Sequence, residues 1–135
     1  MRTLLALLCL LLTGQAAALE LVASTTSLAM LARQVGGAEA KASVLAPPDR
    51  DPHMLQAKPS MMRALRDADL VIALGAELEA GWLPAATAGA GNPRILPGQL
   101  GYFEAAAQVP LRDAGGAADR AHGDVHPMGN PHVNL

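Results

Sequence analysis

Apolar positions along this chain fall into short dense runs separated by longer stretches where they recur every three or four residues. The first run, "LELVAST" (19–25), is nearly continuous in apolar residues on its inner part and predicts a strand. In "SLAMLARQVGG", Leu28, Leu31, Ala32 and Val35 share helical spacing, with Ser27 as the expected N-cap and Gly36-Gly37 as the stop. "KASVLAPP" reads as a second strand closed by Pro47-Pro48, and "DRDPHMLQAK" has the proline and charge density of a loop. Ser60 is placed to cap a helix through "MMRALRDAD", where Met61, Leu65 and Ala68 share one face. "LVIALG" predicts a third strand, apolar on both faces. "LEAGWLPAATAGAG" predicts a weaker helix interrupted by Gly81 and Pro84, and "PRILPG" a short fourth strand. From Gly101 to Gly123 the chain is rich in alanine and glycine and has no clear period.

Strands alternating with helices imply right-handed crossovers and a parallel sheet flanked by helices, an α/β fold. In such sheets the loops after the carboxyl ends of the strands form the ligand crevice. His53 follows the second strand and is expected at that rim. Met61 and Met62 are assigned to the core rather than to a metal site, because the methionines do not cluster.

The amino terminus changes the picture of where the chain works. Arg2 precedes an apolar run from Leu4 to Leu12, and Ala16-Ala17-Ala18 supplies small residues for cleavage, the pattern of a secretory signal peptide. The run is too short to span a bilayer. Residues 1–18 are therefore set aside, leaving 19–135 as about one domain outside the cytoplasm, in the periplasm. Cys9, the single cysteine, lies inside the run after Leu8, which is a poor setting for lipid attachment, so no lipid anchor, disulfide or thiolate site is expected. The formal charge is −2, and Lys and Arg are scattered. Trp82, Tyr102 and Phe103 are the only aromatic residues that could stack on bases, which leaves no footprint for nucleic-acid binding. No later stretch is long enough for a membrane-spanning helix.

The candidate chemistry lies in the four histidines. Neutral imidazole binds zinc, copper, nickel or iron, but one histidine alone proves little, and His122 reads as a solvated loop residue. "DPH" at 51–53 and "NPH" at 130–132 are matching settings. In each, proline limits the backbone before the histidine, and Asp51 or Asn130 can close an Asx-type turn. A fixed loop suits a ligand, whose ring nitrogen must sit within a few tenths of an ångström of its place. His126 lies between the turn formers Asp124 and Pro127. On these residues alone, a metal site and ordinary loop histidines both remain open.

"DPHMLQAKPSMMRALRDADLVIALG" resembles the first ligand segment of the substrate-binding proteins of zinc and manganese ABC transporters, the cluster A-I or zinc-uptake receptors. "GAELEAGWLP" resembles the family's stretch after its third strand, and "GDVHPMGNPHVNL" resembles its second ligand segment. The resemblance covers nearly all of residues 19–135, in order. It implies His53 as the first metal ligand and His132 as the second, with His126 fitting a subgroup that carries an extra histidine. It implies two α/β lobes joined by a long helix with the metal between them, an ABC permease as partner, and a protein that does not itself span the membrane. The sequence reaches only Leu135, before the family's third and fourth ligands, so the expectation is an amino-terminal lobe with the carboxy-terminal lobe absent.

The function this implies is extracytoplasmic capture of a divalent metal for an ABC transporter. Histidines outnumber carboxylates among the visible ligands, which puts zinc ahead of manganese. One alternative is a non-transporting fragment that scavenges metal weakly. Another is a metal-dependent hydrolase, but no H-E-x-x-H, serine elbow or cysteine nucleophile is present, and Asp49, Asp51 and Asp124 are better placed as turn residues. The chain is therefore read as a binding protein and not as an enzyme.

Overall fold

The computed structural model describes residues 18–111. Four parallel strands form one sheet in the order β2-β1-β3-β4, where β1 is Leu19–Ala23, β2 Ala40–Val44, β3 Leu70–Ala73 and β4 Tyr102–Glu104. Leu21 stands opposite Ala42 on one side and Leu70 on the other, so β1 is an interior strand. The second crossover, from β2 to β3, passes to the far side of β1. This places a topological switch point between β1 and β3, the position where open α/β sheets take ligands at their carboxyl ends.

Both faces of the sheet are covered, which explains the apolar runs Leu21–Ala23 in β1 and Leu70–Ala73 in β3. Successive side chains point to opposite faces. Val22, Val71 and Ala73 pack with Met61, Leu65, Trp82, Leu83 and Ile95 on one face. Ala23 and Leu74 pack with Leu28, Ala29 and Leu78 on the other. The first face carries two helices, α2 (Pro59–Arg66) and α3 (Leu83–Ala90), and the second carries α1 (Thr26–Gly36). The expected fold class, a parallel sheet flanked by helices, is the fold observed.

Several local expectations are corrected. α1 begins at Thr26 with Thr25 as N-cap, and its buried stripe is Leu28, Ala29 and Ala32. The small alanines let the helix lie close to the sheet, so Leu31 and Val35 are turned outward, Val35 being 89% exposed. The N-cap position of α2 is Lys58 and not Ser60, with no side-chain capping bond, because Pro59 occupies the first turn, where its missing N–H is not needed. The same logic inverts the expectation for Pro84. It sits in the first turn of α3 and starts that helix where an interruption was expected, and Gly91, in the left-handed region at φ 70°, ends it.

The predicted strand at "PRILPG" is a 3-10 turn, Pro93–Ile95, with Ile95 fully buried. The buried side chain of Asn92 forms this turn. Its Oδ1 accepts from the N–H of Arg94 at 3.2 Å, and its Nδ2 donates to the carbonyls of Leu65 and Ala68 at 3.2 and 2.9 Å. The fourth strand lies later, at Tyr102–Glu104, pairing Val71 with Tyr102. Gly101 leads into it through a narrow gap, where a Cβ would stand 2.6 Å from the Arg94 carbonyl oxygen and 2.9 Å from that of Asp69.

Candidate metal centre

The loop that carries His53 leaves the carboxyl end of β2. Leu45 and Ala46 continue the ladder beyond the strand, donating to the carbonyls of Ala23 and Ser24 at 3.0 and 2.9 Å. The chain then turns at Pro47, whose carbonyl accepts from Arg50 N–H at 3.1 Å. Next comes a one-turn 3-10 helix, Pro52–Met54, with Asp51 as its cap. The Asp51 Oδ1 accepts the His53 N–H at 2.9 Å, and the Asp51 carbonyl accepts the Met54 N–H at 3.1 Å. The Asx-type turn expected from "DPH" is therefore present. His53 is half-buried, and its Nε2 is closed off from solvent.

A second element fixes this loop from across the sheet. The chain leaving β3 passes through Gly75, Ala76 and Glu77 at φ 81°, 49° and 70°, three consecutive left-handed residues of which two carry a Cβ. Such a backbone persists only where its surroundings hold it. The carboxylate of Glu79, itself buried, does so here, accepting from Leu74 N–H through Oε1 at 2.8 Å and from Gly75 N–H through Oε2 at 3.0 Å. The Glu79 carbonyl then accepts from the N–H groups of Trp82 and Leu83 at 3.1 and 2.9 Å and opens α3. Trp82, fully buried, donates its indole Nε1–H to the Pro52 carbonyl at 2.7 Å.

Beside the loop is a cavity of about 500 Å³ lined by Leu45, Asp49, Arg50, Met54 and Lys58 among others. His53 is not part of its lining. The Tyr102 phenol, on β4, is pushed up to about 12 by burial first and then by the negative charges of Glu104 and Glu79.

Of the three histidines expected to ligate metal, the structure places His53 at the carboxyl rim of the sheet. His126 and His132, and with them His122 and Asp124, lie outside the described residues. Among the described residues no group of three His, Cys, Asp or Glu side chains could hold a metal ion. Asp49 and Asp51 are turn residues, as expected. Sequence reasoning missed Glu79 and Trp82, which fell within a weak helix prediction. A single tryptophan five residues after the "GAE" turn at 75–77 was the available signal, since a buried indole needs an acceptor.

Residues 21–135 match a family profile described as zinc-uptake complex component A, periplasmic. Among solved structures, a ZnuA is 26% identical with a TM-score of 0.58, over 70% of this chain and 35% of that one. A ZnuA deletion mutant with zinc bound is 22% identical with a TM-score of 0.64, over 84% of this chain and 38% of that one. The metal-dependent lipoprotein YcdH from Bacillus subtilis is 21% identical with a TM-score of 0.56, over 70% and 34%. The two below 25% identity speak to the fold, and this chain spans little more than a third of each protein's length. Comparison with curated proteins found no match. No helix among the described residues is long and apolar enough to cross a membrane. The match across residues 21–135, on a parallel α/β sheet with an Asp-Pro-His turn at its carboxyl rim, places the chain in the periplasmic zinc-uptake component A family.

Proposed function

We propose that this chain binds a divalent metal outside the cytoplasm for delivery to an ABC permease, with zinc ahead of manganese as the cargo. His53 is the first ligand in this reading, His132 the second, and His126 the third or a substitute for it. Residues 1–18 act as a signal peptide without lipid attachment, and 19–135 form the amino-terminal lobe of a receptor that binds and releases metal and performs no catalysis. The observation that carries the reading is His53 itself, a half-buried imidazole on an Asp51-capped turn at the carboxyl rim of a sheet belonging to this family. Imidazole is a preferred zinc ligand, and zinc held for carriage favours four ligands.

Calorimetric titration of the full chain with zinc tests this. Each substitution removes one ligand from the site, so His53→Ala or His132→Ala should each weaken binding by at least about tenfold. Affinity should fall on acidification toward about pH 5, because protonated imidazole cannot ligate. Tight equimolar binding that survives both substitutions would overturn the assignment.

A further inference from the structure

Trp82 is the only tryptophan in the chain, is fully buried, and spends its one polar group on a carbonyl thirty residues earlier in the sequence. That carbonyl belongs to Pro52, and it shares one rigid peptide plane with the N–H of His53. The two ends of this plane are held from opposite quarters. The Asp51 carboxylate takes the N–H at 2.9 Å, from within the loop. The Trp82 indole takes the C=O at 2.7 Å, from the segment after β3. Each bond restrains rotation of the plane about the line joining the Pro52 and His53 Cα atoms, one from either side. Together they fix ψ of Pro52 and φ of His53, and so hold the turn from which the His53 side chain projects.

Trp82 is itself seated. Its N–H donates to the carbonyl of Glu79, whose carboxylate grips the amides of Leu74 and Gly75 at the end of β3. The neighbouring backbone is close as well, since a Cβ on Gly81 would stand 3.9 Å from the His53 carbonyl oxygen. The loop after β2 is thus tied to the loop after β3 through one indole hydrogen bond.

We propose that Trp82 is a positioning residue for His53, clamping the 52–53 peptide so that the imidazole is aimed before metal arrives. The inference rests on the reading of His53 as a metal ligand. Groups that orient a metal ligand without touching the metal typically account for roughly 10–100-fold in affinity.

Because the chain has one tryptophan, biosynthetic incorporation of benzothienylalanine in a tryptophan auxotroph alters Trp82 alone, replacing the indole N–H by sulfur at nearly constant shape. The full chain carrying this isostere, and Trp82→Phe as a second variant, are titrated with zinc ion alone, and amide hydrogen exchange is followed at His53 and Met54. The expected result for the isostere is a zinc Kd weakened about tenfold, exchange at both amides faster by a similar factor, and exchange in α2 and β3 unchanged. A Kd within about twofold of the parent would overturn the positioning role, whatever the exchange does, and leave Trp82 a core residue. If the parent's zinc binding is insensitive to His53→Ala, the proposed function falls, and the exchange data then decide the clamp alone: acceleration confined to His53 and Met54 supports it, and no acceleration overturns it.

Discussion

Asp51 accepts the backbone N–H of His53 through Oδ1 at 2.9 Å, so the residue two places before the histidine sets its backbone. Asparagine keeps an oxygen at that position and alanine does not. Asp51→Asn should therefore leave the turn intact, whereas Asp51→Ala should cost about 1 kcal/mol locally, the usual size of a lost side-chain cap. Zinc titration of the two variants should separate them, with the alanine variant the weaker. Equal affinities would mean that the cap does not govern where His53 stands.

Glu79 carries a larger share of stability. Both of its carboxylate oxygens are used, one by the N–H of buried Leu74, the residue after β3. In Glu79→Gln one oxygen becomes an NH2 group, which cannot accept, and one backbone N–H is left without its partner. The loss of a charge-assisted bond from a buried amide is about 1–3 kcal/mol. Urea denaturation followed by circular dichroism should show the midpoint falling with an unchanged slope. An unchanged midpoint would contradict the role assigned to Glu79.

Asn92→Ala should be more damaging than its one-residue scale suggests. The amide joins the carbonyls of Leu65 and Ala68, at the end of α2, to the N–H of Arg94. Its removal takes the side-chain donor from the Ala68 carbonyl and leaves the Leu65 carbonyl with the Ala68 N–H at 3.3 Å, and a buried group left unsatisfied costs about 1–3 kcal/mol. Thermal melting of Asn92→Ala should drop by several degrees. Asn92→Asp should fare little better, because a carboxylate cannot donate to those carbonyls.

The parts of this fold that were legible in the sequence are those whose cause is local. The inner part of β1, Leu21–Ala23, is buried and β3 is wholly apolar, so both read as apolar runs, and the "DPH" turn is closed by the side chain of its own first residue. The misplacement of the fourth strand has the opposite cause. "PRILPG" contains apolar residues at strand spacing, but Asn92 locks it into a turn by reaching the carbonyls of Leu65 on α2 and Ala68 just past its end, a contact no local window contains. The true β4 has only three residues at the sheet edge, with Phe103 42% exposed, too short for a period to register. At the candidate site, the Asp51-capped turn that carries His53 was legible from its own motif. The Trp82–Pro52 bond was not, because only the crossover brings those residues together. The expected meeting of His53 with His126 and His132 concerns residues outside those described.

Tyr102 provides a pH prediction with a clean signal, since it is the only tyrosine in the chain. Burial, reinforced by the charges of Glu104 and Glu79, pushes its phenol from the ordinary 10.0 up to about 12. The folded protein therefore keeps the phenolic proton in a window where the unfolded chain has released it. Stability should be indifferent to this group below pH 10 and should decline as pH rises from 10 to 12, because the folded state there binds more protons than the unfolded one. Absorbance of the phenolate should rise with a midpoint near 12 in the folded protein and return to about 10 in denaturant. Glu104→Gln should lower the folded midpoint only in part, since burial, the larger cause, remains. A folded midpoint at 10 would show that the β3–β4 edge around Tyr102 is open to water.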